Sequence, residues 1–346
     1  MKRFFLLFSL FFTAIIWNSA KATEVLIVGG GPTGLATAIE VHYKGASVTI
    51  VEKREGYSRS QFVFLLESTL DLLDKWEVVV PQLKVMDFGE EKMGVVRIKY
   101  LERGLNERIK ARGIKKIRGD FLALEEGKRD ALVAVEGEHT LIPYDFIIAA
   151  DGAHSQVRDK AGIKCECLGR AVGVWMFVPF SDHFREIDIS PILKRENYFI
   201  RRISIPMGSI IFLQSFVGDT TLFAKVSLKS LKKKVEACEW FLEAEKLETE
   251  PIIFTDNVQI AFQKAKAFSL PEKNILVLGD AAATASFFHG MGVNTSLQTA
   301  VLAGEFFQEP YHENAHARFN QKMRQLADQL INFGRFLFEE EPGFAE

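Results

Sequence analysis

Residues Val25 to Glu40 read Val-Leu-Ile-Val-Gly-Gly-Gly-Pro-Thr-Gly-Leu-Ala-Thr-Ala-Ile-Glu, and Gly29, Gly31 and Gly34 stand at the spacing GxGxxG. Each glycine has its own task in a diphosphate-binding turn. Gly29 permits the tight bend, Gly31 lets a pyrophosphate come close to the backbone, and Gly34 lets the following helix pack on the preceding strand. Pro32 and Thr33 belong to the same turn and open that helix, whose unpaired N–H groups and dipole favour an anion. Glu52 follows about 20 residues beyond the glycines, where this arrangement needs an acceptor for a ribose hydroxyl. Two further carboxylates end apolar runs. Asp151-Gly152 follows Tyr144 to Ala150, and Gly279-Asp280 follows Asn274 to Leu278. Ligands of an open α/β sheet bind at the carboxyl ends of its strands, so both acids stand where a dinucleotide would lie.

These residues need a parallel sheet to hold them. Val25 to Val28 and Ala46 to Val51 are short apolar runs of the central-strand type, separated by a helical stretch from Leu35. Arg97 to Arg112 carries Ile98, Leu101, Leu105 and Ile109 at helical spacing with Gly113 as a stop, and leads to a strand near Ile114 to Ile117. That is a second crossover. The stretches 171–180, 197–205, 209–216 and 221–227 are β-rich, and 230–245 reads as a polar helix. Together they predict an antiparallel sheet on the substrate side, with Trp175, Phe177, Tyr198 and Phe212 as candidates for a pocket wall or for plain core. The stretches 295–307 and 315–338 are helical, and Phe319, Met323, Leu326, Leu330, Phe333 and Leu337 form a core-facing stripe.

Composition narrows the function. Lys and Arg total 43 against 45 Asp and Glu, a formal charge of -2, which lacks the basic excess expected of a nucleic-acid partner. Three cysteines without CxxC or Cys/His spacing exclude a disulfide scaffold and predict no metal site. Lys2 and Arg3, the apolar run Phe4 to Trp17 and the Ala20-Lys21-Ala22 site read as a signal peptide over 1–22. Export to a periplasmic, secreted or lumenal location is expected, with no stable membrane span after cleavage. The alternative is an anchor in the membrane through an uncleaved leader.

GxGxxG, the Asp151-Gly152 segment and the Gly279-Asp280 segment, in that order, resemble the fingerprints of the group A flavoprotein monooxygenases, typified by aromatic-ring hydroxylases. The resemblance implies FAD, with Glu52 on the adenosine ribose, Asp151 and Gly152 near the pyrophosphate and Asp280 on the ribityl chain. It also implies that Gly290-Met291-Gly292-Val293-Asn294 lays backbone amides of Gly292, Val293 and Asn294 against the flavin ring. Ala283, Ser286 and Phe287 depart from the His and prolines of that pattern. His289 is an active-site donor on one reading and an ordinary loop histidine on the other. Glu52-Lys53-Arg54 with Tyr57-Ser58-Arg59-Ser60-Gln61 is similar to the corresponding stretch of the MICAL monooxygenases. This adds Lys53, Arg54, Arg59 and Gln61 to the cofactor-binding set, with the arginines beside the phosphates; a solvated basic loop is the alternative.

The expected fold is therefore α/β: a Rossmann-like FAD-binding domain (23–164 and 273–307), an inserted antiparallel β-sheet substrate domain (165–272), and a C-terminal helical segment (308–346). The resemblance implies an FAD-dependent oxidoreductase in which NADPH or NADH serves as transient electron donor. O2 would form a flavin C4a-hydroperoxide that hydroxylates a small organic substrate or a protein side chain. Two alternatives stand beside it: a flavin-dependent reductase or dehydrogenase of an apolar substrate, and a non-catalytic flavin-binding protein. A tryptophan-containing stretch at Trp175 faintly resembles a motif of flavin halogenases, but its second Trp is absent and halogenation is set aside.

Overall fold

The structure is a computed structural model that describes residues 22–179, 188–189, 193–195, 198–205, 208–217, 254–285 and 291–339, with side chains over 22–87, 89–168, 262–285 and 291–334. The first half of the chain runs β1 (Glu24–Val28), α1 (Pro32–Tyr43), β2 (Ser47–Glu52), β3 (Phe62–Leu66), α2 (Glu67–Lys75), β4 (Lys84–Phe88), β5 (Glu91–Arg97), α3 (Ile98–Ala111), β6 (Lys115–Arg118), β7 (Asp120–Leu124), β8 (Asp130–Val135), β9 (Glu138–Pro143), β10 (Phe146–Ala149) and α4 (Gln156–Lys160). Then come β11 (Cys165–Pro179), β12 (Asp188–Ile189), β13 (Leu193–Arg195), β14 (Tyr198–Ile205), β15 (Gly208–Val217), β16 (Phe254–Ala265), β17 (Ser269–Leu270), β18 (Ile275–Val277), β19 (Ala283–Thr284), α5 (Met291–Phe306) and α6 (Ala315–Glu339).

The central sheet has the order β17-β18-β10-β1-β2-β6, parallel except for β17 at its edge. Its inner strands are apolar and buried because helices cover the faces, which is why they read as continuous hydrophobic runs. Register decides the site. Val28 pairs with Ala149 and Ala149 pairs with Val277, so the three strands stop level with one another. Gly29, Asp151 and Asp280 are delivered to one edge by that alignment.

A second sheet, β12-β14-β15-β11-β16-β19 with β13 on β14, is antiparallel, and all its strands but β19 lie between the Asp151 and Asp280 segments in sequence, as expected; β19 joins it from beyond Asp280. β16 was not anticipated, yet it pairs with β11 from Cys165 to Phe177. Residues 221–227 and 230–245 and the leader residues 1–21 lie outside the described residues, as do His289 and the departures at Ser286 and Phe287. The sheets β3-β5-β4 and β7-β8-β9 were also not foreseen. α6 buries Phe319, Met323, Ala327, Leu330 and Ile331. Phe333, assigned to that stripe from its spacing, instead faces outward at 44% exposure, because the burying face follows Ala327 and Ile331. Among the described residues no helix is long and apolar enough to cross a membrane, and no cluster of His, Cys, Asp and Glu could hold a metal ion.

Candidate functional site

Geometry separates the three glycines. Gly29 has φ +107°, and a Cβ there would lie 2.2 Å from the Ala150 carbonyl oxygen. A Cβ on Gly34 would lie 1.8 Å from the Gly29 carbonyl oxygen. The chain itself therefore demands glycine at both positions. Gly31 is different: its φ is -78°, and a Cβ would meet nothing nearer than Arg54 Nη2 at 3.7 Å and Arg59 Nη2 at 3.8 Å. The space kept clear above Gly31 lies outside the protein fold, at the start of α1, where no side chain caps the helix. Free N–H groups at a helix start form an anion site.

Over this turn stand two guanidinium groups held by two buried acids. Glu52 Oε2 accepts from Gly30 N at 2.7 Å and Arg54 Nη2 at 3.0 Å, while Oε1 accepts from Arg54 N at 2.7 Å and Arg54 Nε at 3.1 Å. Burial alone would raise the Glu52 carboxyl, but the hydrogen bonds and charge of Arg54, with the Gly30 N–H, hold it below its ordinary value. A carboxylate offers about four acceptor directions, and these are filled. The ribose-acceptor role expected of Glu52 thus meets a group already engaged, because Arg54 folds back on it from two residues away. Glu102, from α3 and fully buried, receives Arg54 Nη1 at 3.3 Å and Arg59 Nη2. Its Oε2 and the Arg59 Nε are buried with no partner among the described residues. The arginines are 35% and 39% exposed and paired, which is not the arrangement of a freely solvated basic loop; Lys53 is exposed.

The other two acids differ from each other. Asp151 Oδ2 accepts from Gln156 N at 2.7 Å and Val157 N at 3.2 Å, capping α4, while Oδ1 is buried without a partner among the described residues. Burial pushes its carboxyl up against the pull of these hydrogen bonds. Asp280 opens into the cleft and makes no hydrogen bond among the described residues. Its surface is exposed there although protein encloses its other sides, and that enclosure raises its carboxyl while the Arg59 charge opposes. Its turn is set tightly. Gly279 has φ +56°, a Cβ there would lie only 2.3 Å from Thr33 Oγ1, and its N–H donates to Thr299 Oγ1 at 3.1 Å.

An open cleft with a cavity volume of about 180 Å³ gathers Gly29, Gly31, Pro32, Thr33, Glu52, Lys53, Arg54, Arg59, Asp151, Gly152 and Asp280. Among the described residues, the other expected ones, Gly34, Gln61, Gly292, Val293 and Asn294, are not on its wall. Gly34 lies beneath the turn, and Gln61 uses its carbonyl to receive Ile98 N at 2.8 Å at the start of α3. Gly292 and Val293 are half-buried in the first turn of α5. Asn294 is likewise off the wall, and its side chain is structural: it accepts from Leu66 N at 3.0 Å and Thr69 Oγ1 at 2.7 Å and donates to Phe64 O at 2.8 Å. His289 cannot be placed, being outside the described residues.

Sequence reasoning missed Gly119, Asp120 and Phe121, which follow β6 and line the cleft, as do His154 and Gln156. It also missed Glu102 and Arg158. The Arg158 guanidinium is buried and donates to Ala281 O at 3.0 Å and Ala153 O at 3.3 Å, tying the two acid-bearing turns together. A signal existed for Arg158, a charge beside an apolar strand end; none marked Glu102 as inward-facing.

The open cradle over Gly31, the free helix start, the two guanidinium groups and the Asp280 carboxylate in the cleft fit a ligand with a diphosphate and a polyol, as FAD has. Comparison with known proteins agrees. Human [F-actin]-monooxygenase MICAL2 is 52% identical over 53 residues, 15% of this chain and 3% of that protein. The solved structure of CmlS, a flavin-dependent halogenase, superposes with a TM-score of 0.73 at 18% identity, covering 90% of this chain and 64% of that one. Aklavinone-11 hydroxylase, solved in a ternary complex with FAD and aklavinone, gives a TM-score of 0.70 at 17% identity over 91% of this chain and 68% of that one. This chain spans only a small part of the MICAL2 protein, and the structural likenesses concern the fold. The family described as FAD binding domain matches residues 22–80 and 79–333, nearly the whole described chain, and this protein belongs to that family.

Proposed function

We propose that the protein is an NAD(P)H-dependent flavin monooxygenase that hydroxylates an organic substrate. The observation carrying this reading is the cleft, in which the glycine turn, the paired arginines and the Asp280 carboxylate converge at the ends of three parallel strands. The chain's own residues would divide the work. The N–H groups at the start of α1, with Arg54 and Arg59, would bind the diphosphate, and Asp280 would accept from the ribityl hydroxyls. Glu102 and Arg158 hold those groups in place. When bound, FAD supplies hydride acceptance from the nicotinamide and activation of O2, chemistry that no side chain provides. The antiparallel sheet would form the substrate wall. Stopped-flow mixing of the FAD-loaded protein with NADPH and with NADH tests the reading: flavin bleaching followed by reoxidation in air, faster with substrate, is expected. No bleaching with either nicotinamide, alongside ready reduction by dithionite, would overturn it.

The leader over 1–22 supports a second part of the proposal, export with cleavage after Ala22. Fractionation with N-terminal sequencing tests it. A mature chain starting at Thr23 outside the cytosol is expected, and a cytosolic chain starting at Met1 refutes it.

A further inference from the structure

The cleft is short of positive charge for the ligand it takes. Its wall carries four acids, Glu52, Asp120, Asp151 and Asp280, against three cations, Lys53, Arg54 and Arg59. Arg54 is paired with Glu52, and both arginines are paired with the buried Glu102 behind them. A dinucleotide's diphosphate is doubly negative, and it meets guanidinium groups whose charge is already matched. Like charges gathered without counter-charge favour the neutral form of one of them. One acid of the wall is therefore expected to take up a proton as FAD enters.

The four acids are not equivalent. Glu52 has its acceptor directions filled and is held below its ordinary value. Asp120 is exposed, and Asp280 is open to the cleft with the Arg59 charge opposing its protonation. Asp151 has neither relief. Its Oδ2 is engaged by the Gln156 and Val157 N–H groups at 2.7 and 3.2 Å, while Oδ1 is sealed from solvent without a hydrogen-bond partner among the described residues. Charges on the surrounding elements are turned elsewhere. On α4, Arg158 pairs with Asp159 at 3.1 Å and donates to the Ala281 and Ala153 carbonyls, and Lys160 is exposed. His154, in the turn between, is exposed as well. Of the strands beside β10, β18 is apolar throughout, and the one acid of β1, Glu24, lies at its opposite end. Burial outweighs the hydrogen bonds and raises the Asp151 carboxyl before any ligand arrives. Asp151 also abuts the diphosphate turn, since a Cβ on Gly29 would lie 2.9 Å from Asp151 Cα.

We propose that Asp151 is the proton site of the cleft: FAD is held by the form in which this carboxyl is neutral, and each FAD that enters while Asp151 is ionised brings one proton from solvent onto it. Only that O–H bond forms, and no electron moves. The proposal rests on FAD occupying the cleft, and binding and proton uptake are measured separately so that the two can fail separately. While Asp151 is already neutral in the apoprotein, FAD affinity is independent of pH. As pH rises beyond that point every binding event needs a proton, and affinity falls by up to about tenfold per pH unit until the carboxyl ionises in the complex as well.

FAD is titrated calorimetrically into the flavin-free full-length chain from about pH 5 to about pH 9, in buffers of low and high ionisation enthalpy, which count the protons taken up. Wild type should lose affinity as pH rises and take up close to one proton per FAD where the fall is steepest. Asp151→Asn cannot ionise, yet it keeps an oxygen to accept from Gln156 and Val157. It should bind with an affinity independent of pH, take up no proton, and exceed wild type at the alkaline end. Asp280→Asn, weaker throughout, should keep the wild-type slope. Infrared difference spectra of wild type on FAD binding, which need no variant to fold, should gain a protonated-carboxyl band. A flat wild-type profile without proton uptake overturns the proposal and leaves the FAD site standing. A slope that persists in Asp151→Asn, or vanishes in Asp280→Asn, puts the proton on another group and overturns it too. No FAD binding by wild type at any pH would bring down the cleft assignment and the proposal with it.

Discussion

Alanine at Gly31 should leave the fold intact and remove the flavin, whereas alanine at Gly34 should damage the fold itself. At Gly31 the added Cβ meets only two guanidinium nitrogens at 3.7 and 3.8 Å, ordinary contacts, and φ of -78° suits any residue. Alanine is a poorer N-cap than glycine by about 0.5–1 kcal/mol, but it stiffens the unfolded chain by about 0.4–1 kcal/mol. The two nearly cancel, and the net change in stability should stay within about 0.5 kcal/mol. The ligand side is not balanced. A phosphate oxygen hydrogen-bonded to a backbone N–H sits about 2.9 Å from the nitrogen, and a methyl beside it pushes the phosphate out of reach. Losing one or two charge-assisted bonds, at about 1.5–3 kcal/mol each, amounts to about 1.5–6 kcal/mol, or FAD binding roughly tenfold to ten-thousandfold weaker. At Gly34 a Cβ would sit 1.8 Å from the Gly29 carbonyl oxygen, so the helix must withdraw from the strand, at a cost of about 3 kcal/mol or more. Thermal denaturation of the apoproteins and fluorescence titration with FAD separate the effects. Wild-type FAD affinity in Gly31→Ala, or a loss of stability there equal to that of Gly34→Ala, would refute the reasoning.

Glu102→Ala strands two half-exposed guanidinium groups over the turn, and because solvent still reaches them the loss should be about 2–3 kcal/mol, below that of a fully buried pair. Urea denaturation would show it, with weaker FAD binding in parallel. Asn294→Ala leaves Leu66 N, Thr69 Oγ1 and Phe64 O without their partner, and a loss of about 2–4 kcal/mol is expected by the same measurement. Asp280 has a folded-state pKa raised by enclosure, so its contribution to apoprotein stability is fully present below its unfolded value and is lost as pH rises through the folded one. Asp280→Asn should therefore raise the apoprotein melting temperature at neutral pH, remove this fall from the pH profile, and weaken FAD binding. A variant no more stable than wild type at neutral pH would contradict that account of Asp280.

The glycine turn, the strands around it and the two acid-bearing strand ends were legible in the linear chain because each is a local pattern. A buried parallel strand must be apolar throughout, a tight turn must contain glycine, and a helix must repeat its apolar residues every three or four positions. α3 was readable from Ile98, Leu101, Leu105 and Ile109 for that reason. The same pattern says nothing of Glu102, which sits on the flank of the stripe; its burial depends on Arg54 and Arg59, more than 40 residues earlier in the chain. Glu52 was found by spacing, but whether its oxygens face a ligand or the chain was decided by how Arg54 turns. The motif containing Asn294 was read for its backbone amide; it says nothing of the side chain, which joins α5 to β3 and α2, a contact across some 230 residues. β3 to β5 and β7 to β9 escaped notice because their short, mixed strands acquire partners only when the chain has folded. Sequence determines which residues can turn, bury or carry charge. Which of those charges remains free to meet a ligand is set by long-range pairing, because a hydrogen-bonding direction filled by the protein is closed to anything else.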